Sequence, residues 1–344
     1  MSKLKVAIIG SGNWGSAIAK VVGENVQKHS AAFEELVRVW VFQEQIDGRN
    51  LTDIMNEEHE NTKYLPGVKL PKNLKAIPDV REAAQDADIL LFVLPHQFVY
   101  KTCESLRDVI SGQCIGITLT KGLDFRENNI QLFSEEISKI LNIRCAALSG
   151  ANLANEVAEE RFGETTIAVK DPKDGEIFYK LFHTKYFNVA VIEDYTGLQI
   201  CGALKNVVAL GAGFCDGLKY GNNTKSAMIR RGLLEMRKFG KTFFGGVHTE
   251  TFFESCGIAD LITTCAGGRN RRVAEAFINS DKTIDQIEQE MLNGQKLQGA
   301  TTAQEVHNFL VARNMTKEFP LMTAVYKVVY ERAPAETIIE FLQT

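Results

Sequence analysis

Short apolar runs alternate with helix-period stretches through the first half of the chain, and the alternation stops near residue 193. The runs "KVAIIG" (Lys5–Gly10), "VRVWVF" (Val37–Phe42), "ADILLFVLP" (Ala87–Pro95), "CIGITLT" (Cys114–Thr120), "CAALSG" (Cys145–Gly150), "TTIAVK" (Thr165–Lys170) and "FNVAVIE" (Phe187–Glu193) read as strands. Between them, Asn13–Gln27, Asp79–Gln85 and Asn129–Leu141 carry helical spacing. Such alternation predicts a doubly wound, mostly parallel α/β sheet covered on both faces. Beyond Glu193 the spacing is helical throughout: Gly197–Leu210, Lys225–Phe244, Arg271–Asn279, Ile284–Leu292, Thr302–Arg313 and Pro320–Tyr330. The expected organisation is therefore an α/β domain over 1–193 and an all-α domain over 194–344, without a flexible linker.

Composition adds bounds. The chain has 344 residues, 45% hydrophobic and 24% charged, enough for two cores. A net charge of -4 gives no whole-chain reason to expect a nucleic-acid partner. The seven cysteines are scattered without a C-x-x-C pair, which reads as reduced core thiols in a reducing compartment. Neither they nor the six histidines show metal-ligand spacing, so no metal is expected. The apolar run after Lys5 is too short for a signal peptide and passes into a glycine loop. Residues 195–215 could span a bilayer by length, but Gln199, Lys205, Asn206 and several glycines argue against it. A cytoplasmic protein with no membrane partner is expected.

In "AIIGSGNWGSAIAK", Gly10, Gly12 and Gly15 stand in G-x-G-x-x-G spacing between a strand and a helix. Gly10 would permit the tight turn, Gly12 the approach of a pyrophosphate, and Gly15 close packing of the helix. The helix start adds N–H groups and a partial positive charge. This predicts a Rossmann-like, dinucleotide-binding domain. A ribose-binding acid is expected about 20 residues on, but the second strand ends "WVFQEQ", with Phe42 at that position and Glu44 two residues later. No arginine stands at that strand end, so NAD is favoured over NADP. Phe42 either stacks on adenine or belongs to the core. Loops "LPHQF" and "TLTKGLD" follow strands and would line the ligand crevice, which makes His96, Phe98 and Lys121 candidates by position. His96 reads more readily as a solvent-facing residue at a helix start than as a catalytic one; Lys121 suits an anionic substrate.

The helical half carries one conspicuous charge. Between Asp194 and Asp216, Lys205 is the sole formally charged side chain, with Asn206 beside it. A buried amine needs a partner or a shifted pKa. It either snorkels to solvent or serves as a general acid and base. Asp260, in an otherwise apolar patch, could keep it protonated. "GGRNRR" sets Arg269 and Asn270 at a helix start, a phosphate-binding arrangement, while Arg271 and Arg272 read as solvated helix residues.

Together "GSGNWGSAIAK", "LPHQF", "TKGLD", "SGANLANEVA", "CGALKNVVALGAGFCDGL", "ADLITTCAGGRNR" and "LNGQKLQG" resemble the NAD-dependent glycerol-3-phosphate dehydrogenases of the eukaryotic cytosolic type, from about Val6 to Tyr330. The resemblance implies interconversion of dihydroxyacetone phosphate plus NADH with sn-glycerol 3-phosphate plus NAD, and a homodimer. It implies Lys205 as catalytic lysine, Lys121 as a substrate-contacting one, and Asn206, Asp260 and Thr264 as the rest of the polar pocket. Arg269 and Asn270 would bind phosphate. Gly10, Ser11, Gly12, Asn13, Trp14, Gly15, Phe42, Phe98 and Ala154 would line the cofactor, together with Arg269 and with Lys296 and Gln298 of a closing loop. The family's "CYGGRN" stands here as "CAGGRN", with Ala266. Two rival readings are a related dehydrogenase acting on a 3-hydroxy acid or sugar acid, and a cofactor-sensing module without catalysis.

Overall fold

In the computed structural model, which describes residues 2–126, 129–292, 294 and 296–342, the chain forms two compact units. One comprises Met1–Lys121 and Leu132–Tyr195; the other comprises Gly122–Gln131 and Thr196–Thr344.

The first unit runs β1 (Leu4–Ile9), α1 (Asn13–Lys28), β2 (Phe33–Trp40), β3 (Gln45–Ile46), β4 (Arg49–Asn50), α2 (Leu51–Glu58), β5 (Leu74–Ile77), α3 (Val80–Ala84), β6 (Ile89–Phe92), α4 (His96–Leu106) and β7 (Ile115–Thr118). The second unit's hairpin β8 (Asp124–Arg126) and β9 (Asn129–Gln131) comes next. The first unit then resumes with α5 (Phe133–Leu141), β10 (Arg144–Ser149), α6 (Ala154–Ala158), β11 (Gly163–Ala168), α7 (Pro172–Phe182) and β12 (Phe187–Ile192).

Eight strands make one sheet in the order β12-β11-β10-β7-β6-β1-β2-β5. All neighbours are parallel except β10 and β11. From β5 to β10 this is the 3-2-1-4-5-6 order of a doubly wound dinucleotide fold, whose direction of winding switches between β1 and β6. Strand alternation feeds two cores. Val6 and Ile8 join one buried cluster with Ile18 and Val22 of α1, while Ala7 and Ile9 join another with Val99 and Cys103 of α4.

Among its described residues the second unit's regular structure is helical apart from the antiparallel pair β8 and β9. Its helices are α8 (Tyr195–Gly217), α9 (Asn222–Phe243), α10 (Asp260–Gly267), α11 (Arg269–Ile278), α12 (Ile284–Leu292), α13 (Gln298–Val311) and α14 (Pro320–Tyr330), and a π-helical turn, Ser255–Ala259, leads into α10. Helix α8 is long and apolar enough to cross a membrane, yet its most apolar window is wholly buried. Gly213 lets α8 approach α11 closely, since a Cβ there would meet the Arg271 carbonyl oxygen at 2.2 Å. Phe239, Phe243, Phe309 and Phe319 pack edge-on and stacked against one another. Beside them the carboxylate of Glu235 accepts the backbone N–H groups of Leu321 (2.7 Å) and Met322 (3.1 Å), capping α14.

Several expectations need correction. Asn129–Leu141 is not one helix: Asn129–Gln131 is a strand, Leu132 is extended, and the helix starts at Phe133. The second strand ends at Trp40, so Phe42 lies beyond it and is 69% exposed, which removes it from the core. Arg271 is not simply a solvated helix residue: it is part-buried and pairs with Asp216 and Glu275, and Lys225 pairs with the same Asp216. All seven cysteines are buried free thiols, and burial pushes Cys103 and Cys114 up to about 12.

Candidate active site

The glycine loop joins β1 to α1 at the switch point. Gly10 sits at φ +122°, where an L side chain is strained, and a Cβ there would strike the Val93 carbonyl oxygen at 2.3 Å. Gly15 packs so tightly that its Cβ would lie 2.3 Å from the Gly10 oxygen. At Gly12, by contrast, a Cβ would meet no atom within 4 Å. The loop therefore has the fixed turn, the tight helix packing and the open backbone face that a pyrophosphate requires. Helix α1 has neither a side-chain cap nor an acid in its first turn, so its N-terminal field stays positive.

Asn61, fully buried, holds this loop. Its amide donates to the Ser11 carbonyl (2.8 Å) and to Ser16 Oγ (2.9 Å), and its Oδ1 accepts from Tyr64 N–H (3.1 Å). Asn13 Nδ2 donates to the Tyr64 carbonyl (2.6 Å) and to Asn155 Oδ1 (2.9 Å). The 61–64 strap and Asn155 are thus parts of the loop's support that sequence reasoning missed. Asparagines in a polar stretch carry no pattern to flag them. Trp14 turns towards the core, its ring 6.2 Å from Phe187, and Ala154 opens α6 against the same core.

After β6, α4 begins with His96 and Phe98, both exposed, and the His96 ring lies 6.3 Å from Phe133. Thr120 Oγ1 ties the loop after β7 to the Leu94 carbonyl (3.0 Å), and Lys121 Nζ donates to the Gly150 carbonyl (3.3 Å).

In the helical unit the structure bears on one reading of Lys205, that it snorkels to solvent. The residue is 5% exposed, and its Nζ donates to Asp260 Oδ1 (2.5 Å) and Thr264 Oγ1 (2.8 Å). It does not snorkel. Asp260 opens α10 directly after the π-helical turn, and Thr264 stands one turn on, so both face one side of the helix. Beside Lys205, Asn206 Oδ1 accepts from Asn270 Nδ2 (2.9 Å), and Asn270 Oδ1 accepts from Gly299 N–H (2.9 Å). A Cβ at Gly299 would lie 2.5 Å from Asn270 Oδ1 and 2.6 Å from the Asn206 carbonyl oxygen. Arg269 heads α11, whose first turn holds no acid. Lys296 is exposed and ion-paired with Asp285 (2.5 Å) and Glu288 (3.1 Å), while Gln298 begins α13. Asn293 and Gln295 of the "LNGQKLQG" motif lie outside the described residues.

A glycine loop of dinucleotide-fold geometry at the switch point of one unit, and a buried lysine–carboxylate pair in a helical unit, fit the class of dinucleotide-dependent oxidoreductases. Family profiles agree in detail: the NAD-dependent glycerol-3-phosphate dehydrogenase N-terminus matches residues 5–174, and the C-terminus of the same family matches 194–340. The chain is 55% identical over 344 residues to the cytoplasmic glycerol-3-phosphate dehydrogenase [NAD(+)] of Rattus norvegicus, covering 100% of this chain and 98% of that one. It is 54% identical to the cytoplasmic enzyme of Homo sapiens with the same coverage. Among solved structures, the glycerol-3-phosphate dehydrogenase of Plasmodium falciparum superposes with TM-score 0.96 at 42% identity, covering 100% of this chain and 96% of that one. The chain belongs to the NAD-dependent glycerol-3-phosphate dehydrogenase family, with NAD as its cofactor.

Proposed function

We propose that the chain interconverts dihydroxyacetone phosphate and sn-glycerol 3-phosphate with NAD, and that Lys205 is its proton-transferring residue. The observation that carries this reading is Lys205 Nζ, buried between Asp260 Oδ1 and Thr264 Oγ1. A buried ammonium is retained when a carboxylate balances it, and Asp260 stands at hydrogen-bond distance to do so.

When bound, the nicotinamide supplies the hydride for the ketone carbon. As negative charge grows on the carbonyl oxygen, Lys205 Nζ hydrogen-bonds that oxygen and donates a proton. In the oxidation direction the neutral amine takes the proton back. A positioned acid of this kind is worth about 10²–10⁴-fold. Asp260 and Thr264 fix the amine's direction. Arg269 and Asn270 hold the substrate phosphate, helped by the N-terminal field of α11, and Asn206 positions Asn270 through their hydrogen bond. Binding energy from this non-reacting phosphate then serves to orient the ketone.

Gly10 to Gly15, supported by Asn61, hold the pyrophosphate. The remaining assignments rest on the family resemblance: Lys121 to the substrate, and Phe42, Phe98, Ala154, Arg269, Lys296 and Gln298 to the cofactor. The cytoplasm and a homodimer are assigned in the same way; light scattering checks the latter.

The test is loss of NADH absorbance with dihydroxyacetone phosphate. Lys205→Met should abolish turnover while NADH still binds in a fluorescence titration. Turnover near that of the unaltered enzyme would remove Lys205 from the mechanism.

A further inference from the structure

In dinucleotide folds the chain just beyond β2 meets the adenosine ribose, and a cation there accepts the 2′-phosphate that distinguishes NADP from NAD. This chain places two cations in that region, Arg49 of the β3–β4 hairpin and Lys63 of the strap. Both are already committed. The Arg49 guanidinium pairs with Glu58 and, at 2.7 Å, with Glu57 of α2. Lys63 Nζ pairs with Glu44 Oε1 at 2.5 Å, and the other oxygen of Glu44 accepts the Tyr64 hydroxyl at 2.8 Å.

The Glu44–Lys63 pair is held from both sides. The loop after β2 is pinned to α2, because Leu51 N–H donates to the Glu44 carbonyl (2.9 Å) and Thr52 Oγ1 to Gln43 Oε1 (3.1 Å). The strap is pinned to the pyrophosphate loop by Asn61 and by the bond from Asn13 to the Tyr64 carbonyl. The pair therefore bridges the ribose end and the phosphate end of the cofactor cradle. Burial works to raise the Glu44 carboxyl, but the hydrogen bonds from Lys63 and Tyr64 outweigh it and hold the group below its usual range. At neutral pH it is a carboxylate.

We propose that Glu44 determines the choice of NAD over NADP by occupying Lys63, whose ammonium would otherwise serve a 2′-phosphate. The proposal rests on the cofactor reading above and deepens it. Specificity here is a matter of masking a cation that is present.

Direct binding tests it, with NADH and NADPH titrated separately by nucleotide fluorescence into the unaltered chain, Glu44→Gln, Lys63→Gln and the double variant. Glu44→Gln should tighten NADPH about tenfold, the worth of one charge-assisted hydrogen bond, with NADH changed less than about threefold. The gain should shrink as salt rises. Lys63→Gln alone should leave NADPH weak, and the double variant should lose the gain. An unchanged NADPH-to-NADH ratio in Glu44→Gln overturns the proposal, as does a gain that survives in the double variant. Failure of the unaltered chain to bind NADH would instead overturn the cofactor reading itself, so the two failures are told apart.

Discussion

Lys205 and Asp260 lie 55 residues apart in sequence, yet each stood out as a lone charge in an apolar run. That is why the pair was legible: burying one charge demands another, and few candidates were available. Thr264 came from the resemblance alone, since a threonine at i+4 from an aspartate marks nothing until the helix register is fixed. Asn61 was illegible, because its role depends on a chain reversal that no local spacing encodes. The pair also separates stability from chemistry. Lys205→Met leaves the Asp260 carboxylate buried without its cation, a loss of about 3–5 kcal/mol. Lys205→Met with Asp260→Leu removes both charges and should recover most of that loss in urea unfolding while turnover stays absent. A double variant no more stable than the single one would show that the pair is not the energetic unit described.

At the scale of elements, strands that are buried on both faces were readable as apolar runs, and the glycine loop as a strand-to-helix junction. Short or edge elements were not. β5, "LKAI", has four residues and sits at the sheet edge, too short for a period to declare itself. Strand β9 reads as the start of a helix because "NIQLFSEEISKIL" carries helical spacing from its apolar positions, and only Leu132 in extended backbone breaks it. The start of α13 shows what local pattern cannot convey. Its second residue, Gly299, reads as a helix-weakening glycine, but its N–H holds Asn270, and its missing Cβ admits both Asn270 and Asn206. Gly299→Ala should therefore cost about 1–3 kcal/mol by overpacking, and it should raise KM for dihydroxyacetone phosphate with little change in NADH affinity. Steady-state kinetics and an NADH titration on the same variant separate these effects, and an unchanged KM would detach the Asn206–Asn270–Gly299 line from phosphate binding.

Across the whole molecule, groups that titrate differently on folding set how stability varies with pH. In the helical unit, Glu235 is 8% exposed, and burial pushes it up to about 7 despite its two backbone hydrogen bonds. Unfolded, a glutamate titrates near 4.5. Between these values the folded chain binds more protons than the unfolded one, so the Glu235 contribution is full below 4.5 and is lost as pH rises through 7. Glu305, raised to about 7 by burial and by nearby Asp124, acts in the same sense. Histidines 29, 183 and 307, lowered mainly by burial, act in the opposite sense below 6.5, because the unfolded chain then binds the extra protons. The slope of the unaltered protein is thus a difference of opposed contributions and identifies no single residue. Glu235→Gln isolates one of them, since glutamine mimics the protonated acid and leaves the histidines and Glu305 in place. Relative to that variant, the unaltered protein should lose on the order of 3 kcal/mol between pH 4.5 and pH 8, read from urea midpoints at each pH. A constant difference would mean that Glu235 stays ionised in the folded state, its desolvation met in full by the backbone at the start of α14.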